Sequence, residues 1–69
     1  MKNFKEPKIG DLVKIGIVDN FDFGNQKGII TKIDTLFIYI LNFCKMETGG
    51  WLHKRFENGE IEILERGKK

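Results

Sequence analysis

From residue 9 onward the chain alternates apolar and polar positions with a period of two. Residues 9–18 carry Val13, Ile15 and Ile17 in that rhythm, among many β-branched neighbours, and this predicts a first strand. Residues 19–26 concentrate Asp, Asn and Gly and read as a loop. Residues 27–33 predict a second strand and 36–43 a third, separated by a tight corner at Asp34-Thr35. The third has apolar residues on both faces, so it is expected to be the central, most buried strand. Residues 44–50 read as a polar loop closing on Gly49-Gly50, with a short fourth strand over 51–53. In the fifth, residues 60–64, glutamates alternate with Ile61 and Ile63. Residues 54–59 admit two readings: Asn58-Gly59 suits a type I′ hairpin turn, while Lys54 to Glu57 suits one turn of 3₁₀ helix. No stretch of ten or more residues shows the 3.6 period of a substantial helix. The expected core is Val13, Ile15, Ile30, Ile33, Ile38, Ile40, Leu52, Phe56 and Ile63. Residues 1–8 form a polar lead-in, 9–65 the folded domain and 66–69 a basic tail.

Composition narrows the classes. At 69 residues, with 41% hydrophobic and 32% charged residues, the chain is one small globular domain and not a disordered segment. A chain of this size buries only about 60% of its unfolded surface, so it can present a face but hardly enclose a substrate. Cys44 is the only cysteine and His53 the only histidine, which excludes an internal disulfide and a zinc site. Cys44 reads as a semi-buried thiol without a basic neighbour to activate it. No cofactor is expected. There is no apolar run of about 18 residues to cross a membrane, and the first residues lack the apolar stretch of a signal peptide. The expected compartment is a reducing cytoplasm, bacterial or that of a phage-infected cell.

Charge adds little. The formal net charge is +2, and Lys68 and Lys69 at the end of the chain account for all of it. A neutral body can bind nucleic acid only through a concentrated basic face, and here lysines and acids are interleaved.

Ile9-Gly10-Asp11-Leu12-Val13-Lys14-Ile15, followed by Gly28-Ile29-Ile30-Thr31-Lys32-Ile33, resembles the beginning of a KOW-type domain. Gly50-Trp51-Leu52-His53-Lys54-Arg55-Phe56, then Ile61-Glu62-Ile63-Leu64, resembles the ending of an SH3-like barrel, where a strand passes through a 3₁₀ turn into the last strand. The resemblance spans residues 9–64 and is similar to that of short barrels encoded in phage and bacterial genomes. It implies an all-β, five-stranded SH3-like small barrel with a short 3₁₀ turn before the last strand. It does not imply polyproline recognition, because the Ala-Leu-Tyr-Asp-Tyr-like first strand and the paired tryptophan of peptide-binding SH3 domains are missing.

Two sets of residues are candidates for binding. Phe21 and Phe23 in the first loop are either interface anchors or lids over an open barrel end. Phe37, Tyr39, Leu41 and Phe43 share the outer face of the third strand if alternation holds, an apolar stripe that a small monomer should not leave wet unless the N-terminal Phe4 or a loop covers it. With Leu52 inward, Trp51 points out beside Tyr39, as a partner-binding pair or as a cross-strand pair that stabilises the sheet. Phe21, Phe23, Phe37, Tyr39 and Trp51 therefore form the expected protein-binding set. The chain reads as a non-enzymatic module that docks on a protein partner or on a copy of itself, as a phage accessory or host-modulating factor. The alternative is nucleic-acid binding through Trp51, Lys54, Arg55, Lys27 and Lys32, with His53 beside them. No Ser-His-Asp or Cys-His arrangement can be argued, and Glu60/Glu62 read as a wet sheet face and not an acid–base pair.

Overall fold

The structure is a computed structural model and describes residues 6–67. Five antiparallel strands form one sheet: β1 (Leu12–Val18), β2 (Phe21–Ile33), β3 (Phe37–Asn42), β4 (Glu47–Leu52) and β5 (Ile61–Glu65), with a single helical turn, α1 (His53–Glu57), before the last. The order across the sheet is β4-β3-β2-β1-β5, so the chain runs as a meander and then returns to lie beside its first strand. The all-β reading of the sequence is thereby met. The closed cylinder expected with it does not form: the sheet curls but stays open, with β4 and β5 as its two edges.

Local chemistry sets each junction. Asp19 and Asn20 have φ of 51° and 66°, the pair of positive values a type I′ turn requires, and Asp and Asn tolerate that region. The segment 19–26 is thus no loop. Its first two residues turn the chain, and the rest belongs to β2. Gly24 and Asn25, also at positive φ, make an irregularity: the register passes from Ile15↔Gln26 to Ile17↔Asp22, leaving extra residues on β2. A second bulge at Thr31 separates Ile30↔Ile40 from Lys32↔Tyr39 and bends β2 again. A long, twice-bent strand can pair on both sides, so β2 and not β3 is central.

Residues 44–50 are likewise more ordered than their polarity suggests. Only Phe43 to Met46 turn the chain. The buried Asn42 holds them, its Oδ1 accepting from the backbone N–H of Cys44 at 2.8 Å and of Lys45 at 3.3 Å. Its Nδ2 donates to Gln26 Oε1 at 2.8 Å. β4 then starts at Glu47 and includes Gly49 and Gly50. Cys44, at the turn, is exposed and not semi-buried.

α1 replaces the expected 3₁₀ turn with one turn of α helix. It ends in a Schellman arrangement: the N–H of Glu60 donates to Arg55 O at 3.0 Å, that of Gly59 to Phe56 O at 3.1 Å, and Gly59 takes φ 82°. The glycine of Asn58-Gly59 therefore serves a helix end, while Asn58 keeps a helical φ of −80° and makes no hairpin turn.

The core gathers inside the curl: Val13, Ile15, Val18, Ile30, Ile38, Ile40, Phe56 and Ile61 are buried, with Phe23, Ile33, Trp51 and Ile63 packed against them. Ile33 and Ile63, expected in the core, are half-buried at its margin, and Leu52 is exposed. Val18 and Ile61 lie inside instead.

One carboxylate ties residues 8 and 66–67 together. Asp11 is buried at 1% exposure; its Oδ1 accepts from Gly67 N–H at 2.8 Å, and its Oδ2 from Lys8 N–H at 2.9 Å and Arg66 Nη1 at 2.8 Å. Arg66 also donates to Glu6 O at 2.7 Å. Residues 66 and 67, expected in a basic tail, are thus part of the fold; Lys68, Lys69 and Phe4 lie outside the described residues.

Candidate interaction surfaces

Strand parity decides which face each aromatic residue takes. Because β4 begins at Glu47, the register opposes Trp51 to Ile38 and Leu52 to Phe37. Ile38 is fully buried, so Trp51 turns inward and Leu52 outward, the reverse of the expectation. Trp51 and Tyr39 consequently lie on opposite faces and form no pair. Assigning Leu52 to the core is what inverted the parity; the late strand start, an even four residues, leaves it unchanged.

The inward aromatics meet across the curl. Phe23 of β2 packs edge-on against Trp51 of β4, ring centroids 5.3 Å apart, and Phe21 packs edge-on against Phe23 at 4.7 Å. Lys45 brings its ammonium to 5.8 Å from the Phe23 ring. β2 and β4 are not neighbours in the sheet, so this row closes by side chains a gap that no backbone hydrogen bonds bridge. Phe23 and Trp51 are half-buried; Phe21, at the outer end of the row, is 60% exposed.

The outward face carries the second group. Cross-strand pairing places Leu12 beside Ile29 and Ile29 beside Leu41, Tyr39 between Lys32 and Gly50, and Phe37 beside Leu52. These six apolar side chains form one stripe running from β1 to β4. Leu12, Ile29, Tyr39 and Leu41 are half-buried, while Phe37 and Leu52 are 36% and 38% exposed. Phe43, expected in the stripe, sits in the β3–β4 turn and is not part of it. Leu12, Ile29 and Leu52 were missed; the available signal was that Leu12 and Ile29 fall out of phase with the core positions Val13 and Ile30. Tyr39 and Phe37 also serve the sheet: a Cβ at Gly50 would lie 3.2 Å from Tyr39 Cε2 and 3.5 Å from Phe37 Cβ, so their rings cover that bare edge glycine.

The cationic residues do not assemble. Arg55 is committed: its Nη2 donates to Asp19 Oδ2 at 2.6 Å and its Nη1 to Glu60 Oε1 at 3.1 Å. Those bonds, Glu60's foremost, hold its guanidinium still further above its ordinary range and tie α1 to the β1–β2 turn. His53 Nε2 lies 2.8 Å from Asp34 O. Lys54 is exposed on α1, whereas Lys27 and Lys32 flank the outer stripe, the Lys32 ammonium 5.6 Å from the Tyr39 ring. Lys14, opposite Lys27, pairs with Glu62 at 3.3 Å. Among the described residues no group of three or more His, Cys, Asp or Glu side chains could hold a metal ion, and no helix is long and apolar enough to cross a membrane.

No protein-family model matches this chain, and no curated protein and no solved structure is significantly similar to it.

Proposed function

We propose that this chain is a non-enzymatic interaction module of SH3-like arrangement that docks on a protein partner through the outer face of β2, β3 and β4, as a phage-type accessory or host-modulating factor would. The observation that carries it is the continuous stripe from Leu12 to Leu52, which lies outside the core and remains partly wet. The SH3-like reading is supported by the helical turn between β4 and β5 and by the return of β5 to the side of β1. A KOW-like nucleic-acid role has less to stand on. Trp51 faces inward, Arg55 is neutralised by two carboxylates, and Lys54 is on a different element from Lys27 and Lys32.

The double variant Phe37→Ser/Leu52→Ser alters the two most exposed members of the stripe and leaves the buried core intact. In a crosslinking pull-down from the cells that express the protein, it should lose the partner recovered with the wild type while keeping the same circular dichroism. Recovery of the same partner in the same yield would contradict the proposal.

A further inference from the structure

We infer that the outer face takes an acidic amphipathic segment of another protein, with apolar side chains seated on the stripe and carboxylates reaching Lys27 and Lys32. The inference rests on the docking reading above and adds the chemistry of the partner. Its ground is the distribution of charge on that face. From the bulge at Gly24-Asn25 onward the outward positions of β2, and those of β3 and β4, hold Lys27 and Lys32 and no Asp or Glu; Asp22, outward opposite the exposed Ile17, lies on the other side of that bulge, and Glu47, at the start of β4, is opposite Asn42 and shares its inward parity. Two further outward acids, Glu62 and Glu65, lie on β5 at the far edge, where Glu62 is already paired with Lys14. Among the described residues neither Lys27 nor Lys32 makes an ion pair. An apolar stripe bounded by two uncommitted cations repels a basic segment and favours an acidic one, chiefly through specificity and rate of encounter. A nucleic-acid strand fits less well. Most of the stripe is aliphatic, only two free cations adjoin it, and the Tyr39 and Phe37 rings already lie over Gly50.

The test uses the full chain, isotopically labelled, titrated with three probes and followed by amide NMR shifts. Two are synthetic amphipathic peptides with the same leucine positions, one with glutamates and the other with lysines at the polar positions. The third is a twelve-nucleotide oligothymidine. The glutamate peptide should shift Ile29, Lys32, Tyr39 and Leu41, and bind roughly tenfold more tightly than the lysine peptide, about what two rim ion pairs contribute. Lys27→Glu/Lys32→Glu, both at exposed positions, should reverse that preference with the fold unchanged. Equal affinity for the two peptides would overturn the acidic partner and leave docking intact. Shifts centred on Phe23 and Trp51, or stronger binding of the oligonucleotide, would overturn the assignment of this face to a protein. Concentration-dependent shifts of the stripe without any probe would assign the face to a second copy. No shift with any probe would overturn both the docking reading and its chemistry.

Discussion

Asp11 joins residues from both ends of the described chain through three hydrogen bonds to a buried carboxylate. Burial alone would raise its pKa, but the backbone donors of Gly67 and Lys8 and the Arg66 guanidinium outweigh that and hold the carboxyl below its ordinary range. A depressed folded-state value means that the contribution is fully present above the unfolded value, about pH 4, and lost as the pH falls through the folded one. Asp11→Asn keeps the shape, yet whichever way the amide is turned, an NH₂ faces a donor that the carboxylate accepted. It should cost about 2 kcal/mol in urea unfolding at neutral pH and flatten the acid limb of the stability profile below pH 4. Two glycines separate two other causes of residue-level strain. At Gly28 a Cβ would lie 2.5 Å from Leu41 O and 2.6 Å from Ile40 Cγ2, inside the core. At Gly59 it would meet nothing within 4 Å, but φ is 82°. Gly59→Ala should therefore lose about 1 kcal/mol, from backbone strain alone, and Gly28→Ala about 2–3 kcal/mol from overpacking, as read by urea denaturation.

At the scale of elements, turns are where the amino-acid order and the structure part company. The period-two pattern located β1 and β5, and a continuous apolar run located β3, to within a few residues; β1 and β5 bury one face, which alternation reports directly, and β3 has apolar side chains on both. It failed in 19–26 and 44–50, where polar and glycine-rich residues build a two-residue turn, a bulge and an edge strand. Asp19-Asn20 is a legible hairpin signal, obscured by the turn formers after it. Gly49-Gly50 reads as a loop because the aromatic rings that cover those positions come from elsewhere: Tyr39 and Phe37 lie over Gly50, and a Cβ at Gly49 would sit 3.8 Å from Trp51 Nε1. Trp51 was put on the wrong face by a separate step, the assignment of Leu52 to the core, where the register instead sets Leu52 beside the exposed Phe37. The β3–β4 turn depends on Asn42, and two substitutions there can be told apart. Asn42→Asp retains the acceptor for Cys44 and Lys45 and sets a carboxylate oxygen where the amide donated, which Gln26 can meet by turning its NH₂ toward it, whereas Asn42→Ala leaves all three groups without a partner. The alanine variant should lose about 1–2 kcal/mol more than the aspartate variant in thermal or urea unfolding near neutral pH.

Considered as a whole, the molecule uses its two apolar faces differently. The inner face closes on itself, with Phe23, Trp51 and Phe56 filling the mouth of an open sheet. The outer face has no element of the described chain packed over it: α1 makes its few contacts with β4 and β5, and Phe56 is its buried residue. One side supplies stability, and the proposed function assigns the other to association. The aromatics that catch the eye in the sequence divide between those faces, Trp51 and Phe23 on the inner one, Phe37 and Tyr39 on the outer one. Site-specific photo-crosslinking tests this division most directly, with a benzophenone amino acid placed singly at positions 37, 52, 54 and 62 in the cells that express the protein. Positions 37 and 52, on the stripe, should give one common adduct that disappears in Lys27→Glu/Lys32→Glu, and the exposed controls 54 and 62 should give none. The same adduct from all four positions, or none from 37 and 52, would contradict the assignment of the outer face.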